Sequence, residues 1–191
     1  GHDIVAPFRI TSNEPTLAAD SISLRVRRVK QGAQRWELEF GVVMDDASNF
    51  LADMVSTFHD PIQMEMPQLN IRGTTIASGT SSSVVTTSGP HTGNDSTITL
   101  TGHNGTIQKG RFVKFADHDK IYLVKETFTG ASTLNIFPSL RQDVAAGTQL
   151  MYRDIDAITF TAYRDVDNTA GITFTDGVLS DAGNINLIEA L

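Results

Sequence analysis

The sequence predicts a mainly β protein with one amphipathic helix, an α+β chain arranged in two units. Three observations carry that expectation: apolar and polar residues alternate over 20–43, a single stretch at helical spacing follows over 45–58, and short strand-like runs separated by turn signals fill the chain from 97 onward. With 191 residues, 40% of them hydrophobic, the chain has enough apolar side chain for one large domain or two small ones, and such a chain buries about 70% of its unfolded surface.

In the first region Ile22, Leu24 and Val26 alternate with Ser23, Arg25 and Arg27, and Trp36, Leu38 and Phe40 alternate with Glu37 and Glu39. Period two predicts two half-buried strands, with Gln31 and Gly32 as the hairpin turn between them. Arg25, Arg27 and Arg28 would then face Glu37 and Glu39. Charged rows of this kind are ordinarily a solvated face, worth about a few tenths of a kcal/mol per contact.

The period then changes. Ala47, Phe50, Leu51, Met54, Val55 and Phe58 fall at i, i+3, i+4, i+7, i+8 and i+11, one stripe of a helix. Asp45 or Asp46 supplies the cap and suits the positive end of the helix dipole, while Pro61 lies just beyond the last turn. Burying those six side chains contributes about 9 to 18 kcal/mol before chain entropy is charged against it, so the helix is expected to pack on a sheet.

After IQMEMPQLNIRG the composition shifts to Ser, Thr and Gly over 73–97, with Val84 and Val85 as a weak strand inside it. This stretch marks a boundary. The strand signals beyond it are TITLTG, IQKGRFVKFA, KIYLVKE, STLNIFP, TQLMYRD, AITFTAYRD and GITFTDG, a spacing that predicts a small barrel or sandwich. The echo between YRDIDAITFT at 152–161 and YRDVDNTAGITFT at 163–175 is read as two adjacent strands, because two copies are too few for a repeat architecture.

Candidate chemistry is sparse. Asp117, His118 and Asp119 offer ligand types for a metal, yet successive strand residues point to opposite faces, so at most the two carboxylates could converge unless the turn folds all three inward. The other histidines, His2, His59, His91 and His103, are isolated in sequence. A hairpin turn is the expected role of the tripeptide. Asp154, Asp156, Asp165 and Asp167 could form an acid–base pair or hold a cation, but DVDNTAG lacks the spacing of a calcium loop, and the plainer reading pairs them with Arg153 and Arg164. There is no cysteine, no G-x-S-x-G elbow and no phosphate-binding glycine loop. Tyr122, Tyr152 and Tyr163 are the candidates for stacking on bases or sugars, and Trp36 reads as core.

Net charge of -7 argues against a surface built to neutralise nucleic-acid phosphates. No basic start followed by an apolar run is seen at the N-terminus, and no run reaches the roughly 18 apolar residues of a membrane span, so a soluble chain is expected.

The order of elements carries more information. From 105 to 153 the chain reads GTIQKGRFVKF, then HDKIYLV, then LNIFPSLR, then AAGTQLMYR. This series resembles the β-rich module of siphophage tail proteins, in which a glycine-led strand is followed by H-x-K-[VI]-Y, a strand ending in P-x-L, and a G-T-x-apolar strand; here His118, Lys120, Ile121 and Tyr122 supply the second motif. QRWELEF at 34–40, the helix after it, a strand ending in IRG, and the terminus NINLIEAL extend the likeness to the distal tail proteins of T-five-like siphophages.

That resemblance implies a ring-forming hub domain of barrel or sandwich type over 1–72 with 157–191, and an OB-like β-barrel over 73–156 that projects from it. It implies a structural virion protein whose six copies form a ring at the tail tip, between the tail tube and the baseplate, assembled in the bacterial cytoplasm. Its partners would be itself, the tail tube protein and tail-tip or hub proteins, with a host-surface glycan as a further ligand class. No enzyme activity, catalytic residue, metal, cofactor, membrane or nucleic-acid partner is implied. The Ser/Thr-rich stretch 73–97 and the arm 1–19 depart from the family pattern. The rival expectations are a carbohydrate- or oligonucleotide-binding OB-type module and, less favoured, an enzyme using Asp154, Asp156, Asp165 and Asp167.

Overall fold

The computed structural model describes residues 3–20, 26–30, 33–43, 52, 56–66, 84–102, 106–129, 133–152, 158–165, 173–175, 178–181 and 184–190. Among these the regular structure is almost all strand. The contacts divide the chain into two units, Gly1–Ile62 with Thr161–Leu191, and Gln63–Phe160. The sequence-based boundaries fall elsewhere, at 72 and 157; Met66 donates its backbone N–H to Ile158 at 2.8 Å, and both residues belong to the second unit.

The chain begins with β1 (Asp3–Asn13), β2 (Thr16–Asp20), β3 (Val26–Lys30) and β4 (Arg35–Val43), and passes through β5 (Ile62–Glu65). The second unit holds β6 (Thr86–Thr87), β7 (Thr97–Thr101), β8 (Thr106–Ile107), β9 (Phe112–Phe115), β10 (Ile121–Val124), β11 (Phe128–Thr129), β12 (Thr133–Phe137) and β13 (Leu150–Met151). The chain returns through β14 (Thr159–Arg164) to β15 (Thr173–Thr175), β16 (Val178–Asp181) and β17 (Asn184–Glu189).

In the first unit one antiparallel sheet is drawn from both ends of the chain, in the order β1-β4-β17-β14-β5. β4, flanked by β1 and β17, shows why these residues form a strand. Trp36, Leu38 and Phe40 are buried on one face beside Ile185 and Leu187 of β17, and Phe8 of β1 stacks on Phe40 with ring centroids 5.8 Å apart. Glu37 and Glu39 take the alternate positions and face outward, as period two requires.

The hairpin expected between 20–30 and 36–43 does not form. β3 pairs with β2 in a separate ribbon, and the neighbours of β4 are β1 and β17. The physical reason lies in β3 itself: Arg27 and Arg28 are consecutive, so a strand position beside β4 would send one guanidinium to each face, including the apolar one. The partners of Glu37 and Glu39 come instead from β1 and β17. Asn13 Nδ2 donates to Glu37 at 2.6 Å, Asn184 Nδ2 to Glu39 at 2.9 Å, and Arg9 lies 3.5 Å from Glu39. Arg25, Gln31 and Gly32 lie outside the described residues.

The expected helix falls largely outside them too, including Asp45, Asp46, Ala47, Phe50, Leu51, Met54 and Val55. Ala52 and Ser56, both off the apolar stripe, have helical backbone and are exposed, and Phe58 is half-buried in the turn that follows, edge-on to His59. The two echoing segments are not adjacent strands: β14 pairs with β17, and β15 pairs with β16. Their likeness reflects the same half-buried alternation rather than a shared ladder.

The second unit is a nearly closed barrel. Six strands run in the order β13-β9-β10-β12-β7-β6, and the last meets the first at a bridge between Thr86 and Gln149. Leu150 N–H donates to Val85 C=O at 2.8 Å and Thr87 N–H to Thr148 C=O at 2.9 Å across that seam. The seam leaves little of the free edge that an open sheet would offer to other chains. An OB barrel has five strands; here the short β6, from the Ser/Thr-rich stretch, fills a sixth place between β7 and β13. Val113, Phe115, Tyr122, Leu134 and Ile136 fill the interior. Val85 is buried beside them, and 73–83 lie outside the described residues.

Candidate functional site

The tripeptide Asp117, His118, Asp119 forms the connection between β9 and β10, with His118 N–H donating to Phe115 C=O at 3.0 Å. The three side chains do not meet at one point: Asp117 Oδ1 lies 3.8 Å from His118 Nε2, while Asp119 turns to Lys114. Asp117 is exposed and its Oδ2 accepts from Thr148 Oγ1 at 3.3 Å, while Asp119, also exposed, lies 3.3 Å from Lys114 Nζ. Only His118 turns inward, to 3% exposure. Its Nδ1 is 3.2 Å from the Tyr122 hydroxyl and its Nε2 is 3.2 Å from Asp143 C=O. Tyr122 Oη in turn accepts the Arg141 N–H at 3.2 Å, and Phe115 stands edge-on to both rings.

These partners assign the proton positions of the neutral ring. Asp143 C=O can only accept, so Nε2 carries the hydrogen, and the Tyr122 O–H donates to Nδ1. All the polar atoms of this buried group are then matched, which is the condition for holding them away from water. The chemical effect is to tie the 141–143 loop to the β9–β10 hairpin. The signal for it in the sequence was the i, i+4 spacing of His118 and Tyr122, which strand periodicity does not interpret.

A second histidine gathers what resembles a nucleophile, base and carboxylate. Thr99 Oγ1 is 3.0 Å from His91 Nε2, and His91 Nδ1 is 3.6 Å from Asp95 Oδ2. Sequence reasoning left His91 isolated, because Thr99 lies on the following strand. The backbone N–H of Thr99 also donates to His91 Nε2 at 3.1 Å, so the lone pair that would take a hydroxyl proton is already engaged. Asp95 Oδ2 also accepts the Thr92 N–H at 3.1 Å. The group therefore braces the start of β7 and is not an activated nucleophile.

Of the remaining candidates, Asp154, Asp156, Asp167 and Arg153 lie outside the described residues, and so do His2 and His103. Arg164 Nη2 donates to Thr57 Oγ1 at 3.3 Å. Among the described residues no three His, Asp or Glu side chains come together as a metal site. Tyr122 and Tyr152 are buried, and Trp36 lies in the core with its backbone N–H donating to buried Glu189 at 3.1 Å. Tyr163, 46% exposed, is the one stacking candidate that faces outward.

Tyr163 belongs to the surface that sequence reasoning missed, the open face of the first unit's sheet. Cross-strand register sets two rows there: Thr11, Glu37, Ile188 and Tyr163 in one, and Arg9, Glu39 and Asn186 in the other, with Asp165 beside Asn186. Arg9, Thr11, Glu37, Glu39, Asp165 and Asn186 line a groove of about 180 Å³. The rows join strands from the two ends of the chain, β4 and β17 lying more than 140 residues apart, so no local pattern announces them. Among the described residues this face holds no arrangement of acid, base and nucleophile.

Compared with known proteins, the sequence matches no family model and no curated protein.

Proposed function

We propose that the chain is a structural protein of a bacteriophage tail, a distal tail protein of siphophage type whose first unit forms a hexameric ring joining tail tube to tail tip. The observation that carries the reading is a sheet built from both ends of the chain with a barrel inserted between them. That is the organisation implied by the resemblance to distal tail proteins, and the residues of the H-x-K-I-Y motif within 105–153 have a structural use: His118 and Tyr122 bind one loop of the barrel. A nearly closed barrel is suited to projecting from a ring with little free edge for pairing to its neighbours.

A ring of six needs a head-to-tail contact, repeated, of about 1,200–2,000 Å² if each is to be stable. The first unit supplies the surfaces for it, an edge strand at β1 and the open face. Antibody-labelled electron microscopy of particles of the encoding phage tests the location. Label at the tail tip is the expected result, and particles that lack the protein would remove the reading.

A further inference from the structure

The open face of the first unit's sheet presents two successive positions along β17. At the first, Asn186 lies between Glu39 of β4 and Asp165 of β14; at the second, Ile188 lies between Glu37 of β4 and Tyr163 of β14. Adjacent strands stand about 4.8 Å apart, so the side chains flanking each position are rooted about 10 Å from one another. The two positions follow each other at about 6.8 Å along the strand.

Both are rich in acceptors. Glu37, Glu39 and Asp165 line the groove of about 180 Å³ with one cation, Arg9, whose side chain is 72% exposed and approaches Glu39 from the β1 side at 3.5 Å. Asn186 Oδ1 is buried between the two carboxylate-bearing strands and accepts no hydrogen bond among the described residues. At the second position the exposed Tyr163 adds an aromatic ring.

Arginine answers both positions. Its planar guanidinium carries five N–H donors in a fixed fork, so at the first position it spans the gap between two carboxylates above the amide of Asn186. At the second, one edge meets Glu37 while the face of the guanidinium lies toward the Tyr163 ring. A lysine ammonium is a compact point charge and reaches one carboxylate at a time. The spacing selects the rest of the ligand: in an extended chain residues i and i+2 share a face at about 6.8 Å, which is the repeat of the two positions on β17.

We propose that the open face docks an extended segment of a partner protein that carries arginine at alternate positions, Arg-x-Arg, laid along β17 with one guanidinium between Glu39 and Asp165 and the next between Glu37 and Tyr163. The docking does not rest on the ring reading.

The test uses the full chain and three fluorescein-labelled peptides, TRTRT, TTRRT and TKTKT, read by fluorescence anisotropy at about 0.1 M salt. TRTRT is expected to bind about fivefold or more tightly than either of the others, because TTRRT has the same charge but sends its guanidinium groups to opposite faces. Glu37→Gln with Glu39→Gln keeps the side-chain shape, removes the charge and is expected to lower the affinity for TRTRT about tenfold. Tyr163→Ala is expected to lower it about threefold, as the loss of an exposed cation–π contact does. If the double variant unfolds, Asp165→Asn takes its place and is expected to act in the same direction.

Equal affinity for the three peptides, an affinity for TRTRT that the carboxylate variants leave unchanged, or no binding of TRTRT up to about 1 mM would overturn the docking. Each of these results leaves the ring reading standing, since that is decided by the location of the chain in the particle.

Discussion

His118 Nδ1 and the Tyr122 hydroxyl meet at 3.2 Å inside the second unit, where Tyr122 has no exposed surface. The same hydroxyl takes the Arg141 N–H, so one phenol oxygen joins a hairpin to a loop. Tyr122→Phe keeps the ring and deletes that oxygen, leaving Arg141 N–H without this acceptor and His118 Nδ1 without its donor. A loss of about 1–3 kcal/mol is expected by urea denaturation. In a double-mutant cycle with His118→Leu the two losses should fall short of additive by about 0.5 kcal/mol or more. Strict additivity would show that the two side chains act separately.

Lys114 and Asp119 should differ sharply. The Lys114 side chain is buried and Nζ donates to Thr159 C=O at 2.7 Å, whereas Asp119 is 79% exposed in its side chain. Asp119→Asn should change stability by less than about 0.5 kcal/mol, as solvent-screened pairs do. Lys114→Ala, which withdraws a buried donor and its packed stem, should cost about 1–3 kcal/mol. Equal effects in thermal or chemical unfolding would contradict this division.

Gly102 and Gly110 both have positive φ, 79° and 85°, but only one is crowded. A Cβ on Gly102 would lie 2.8 Å from Val84 C=O, and one on Gly110 would meet nothing within 4 Å. Gly110→Ala should therefore cost only the conformational penalty, about 1–2 kcal/mol. Gly102→Ala should cost clearly more, since the backbone at Val84, just before β6, must shift. The order of the two midpoints in denaturant is the check, and the reverse order would contradict it.

How much of this could be read from the chain alone depends on what each feature needs. Strands with one buried face were legible, because Trp36, Leu38 and Phe40, or Leu134 and Ile136, alternate with polar residues whatever their partners are. Pairing was not. β4 meets β17 across more than 140 residues, from Gly41 to Asn184, and nothing local to Arg27 and Arg28 says that they avoid β4 except that consecutive residues face opposite ways. β1 carries Pro7 and a register shift between Val5 and Phe8, which obscure its period. Asp117 and Asp119 were readable as turn residues, but the inward turn of His118 depends on Tyr122 and the distant carbonyl of Asp143. The open face escaped for the same reason as the pairing, since Arg9, Glu39 and Asn186 become neighbours only in the folded sheet.

The proposed tail role is decided by cryo-electron microscopy of the tail tip of the siphophage it implies. The expected result is a sixfold ring at the end of the tail tube into which six copies of residues 1–62 with 161–191 fit, each with the 63–160 barrel attached. A tail tip in which no ring density accommodates this chain would contradict it.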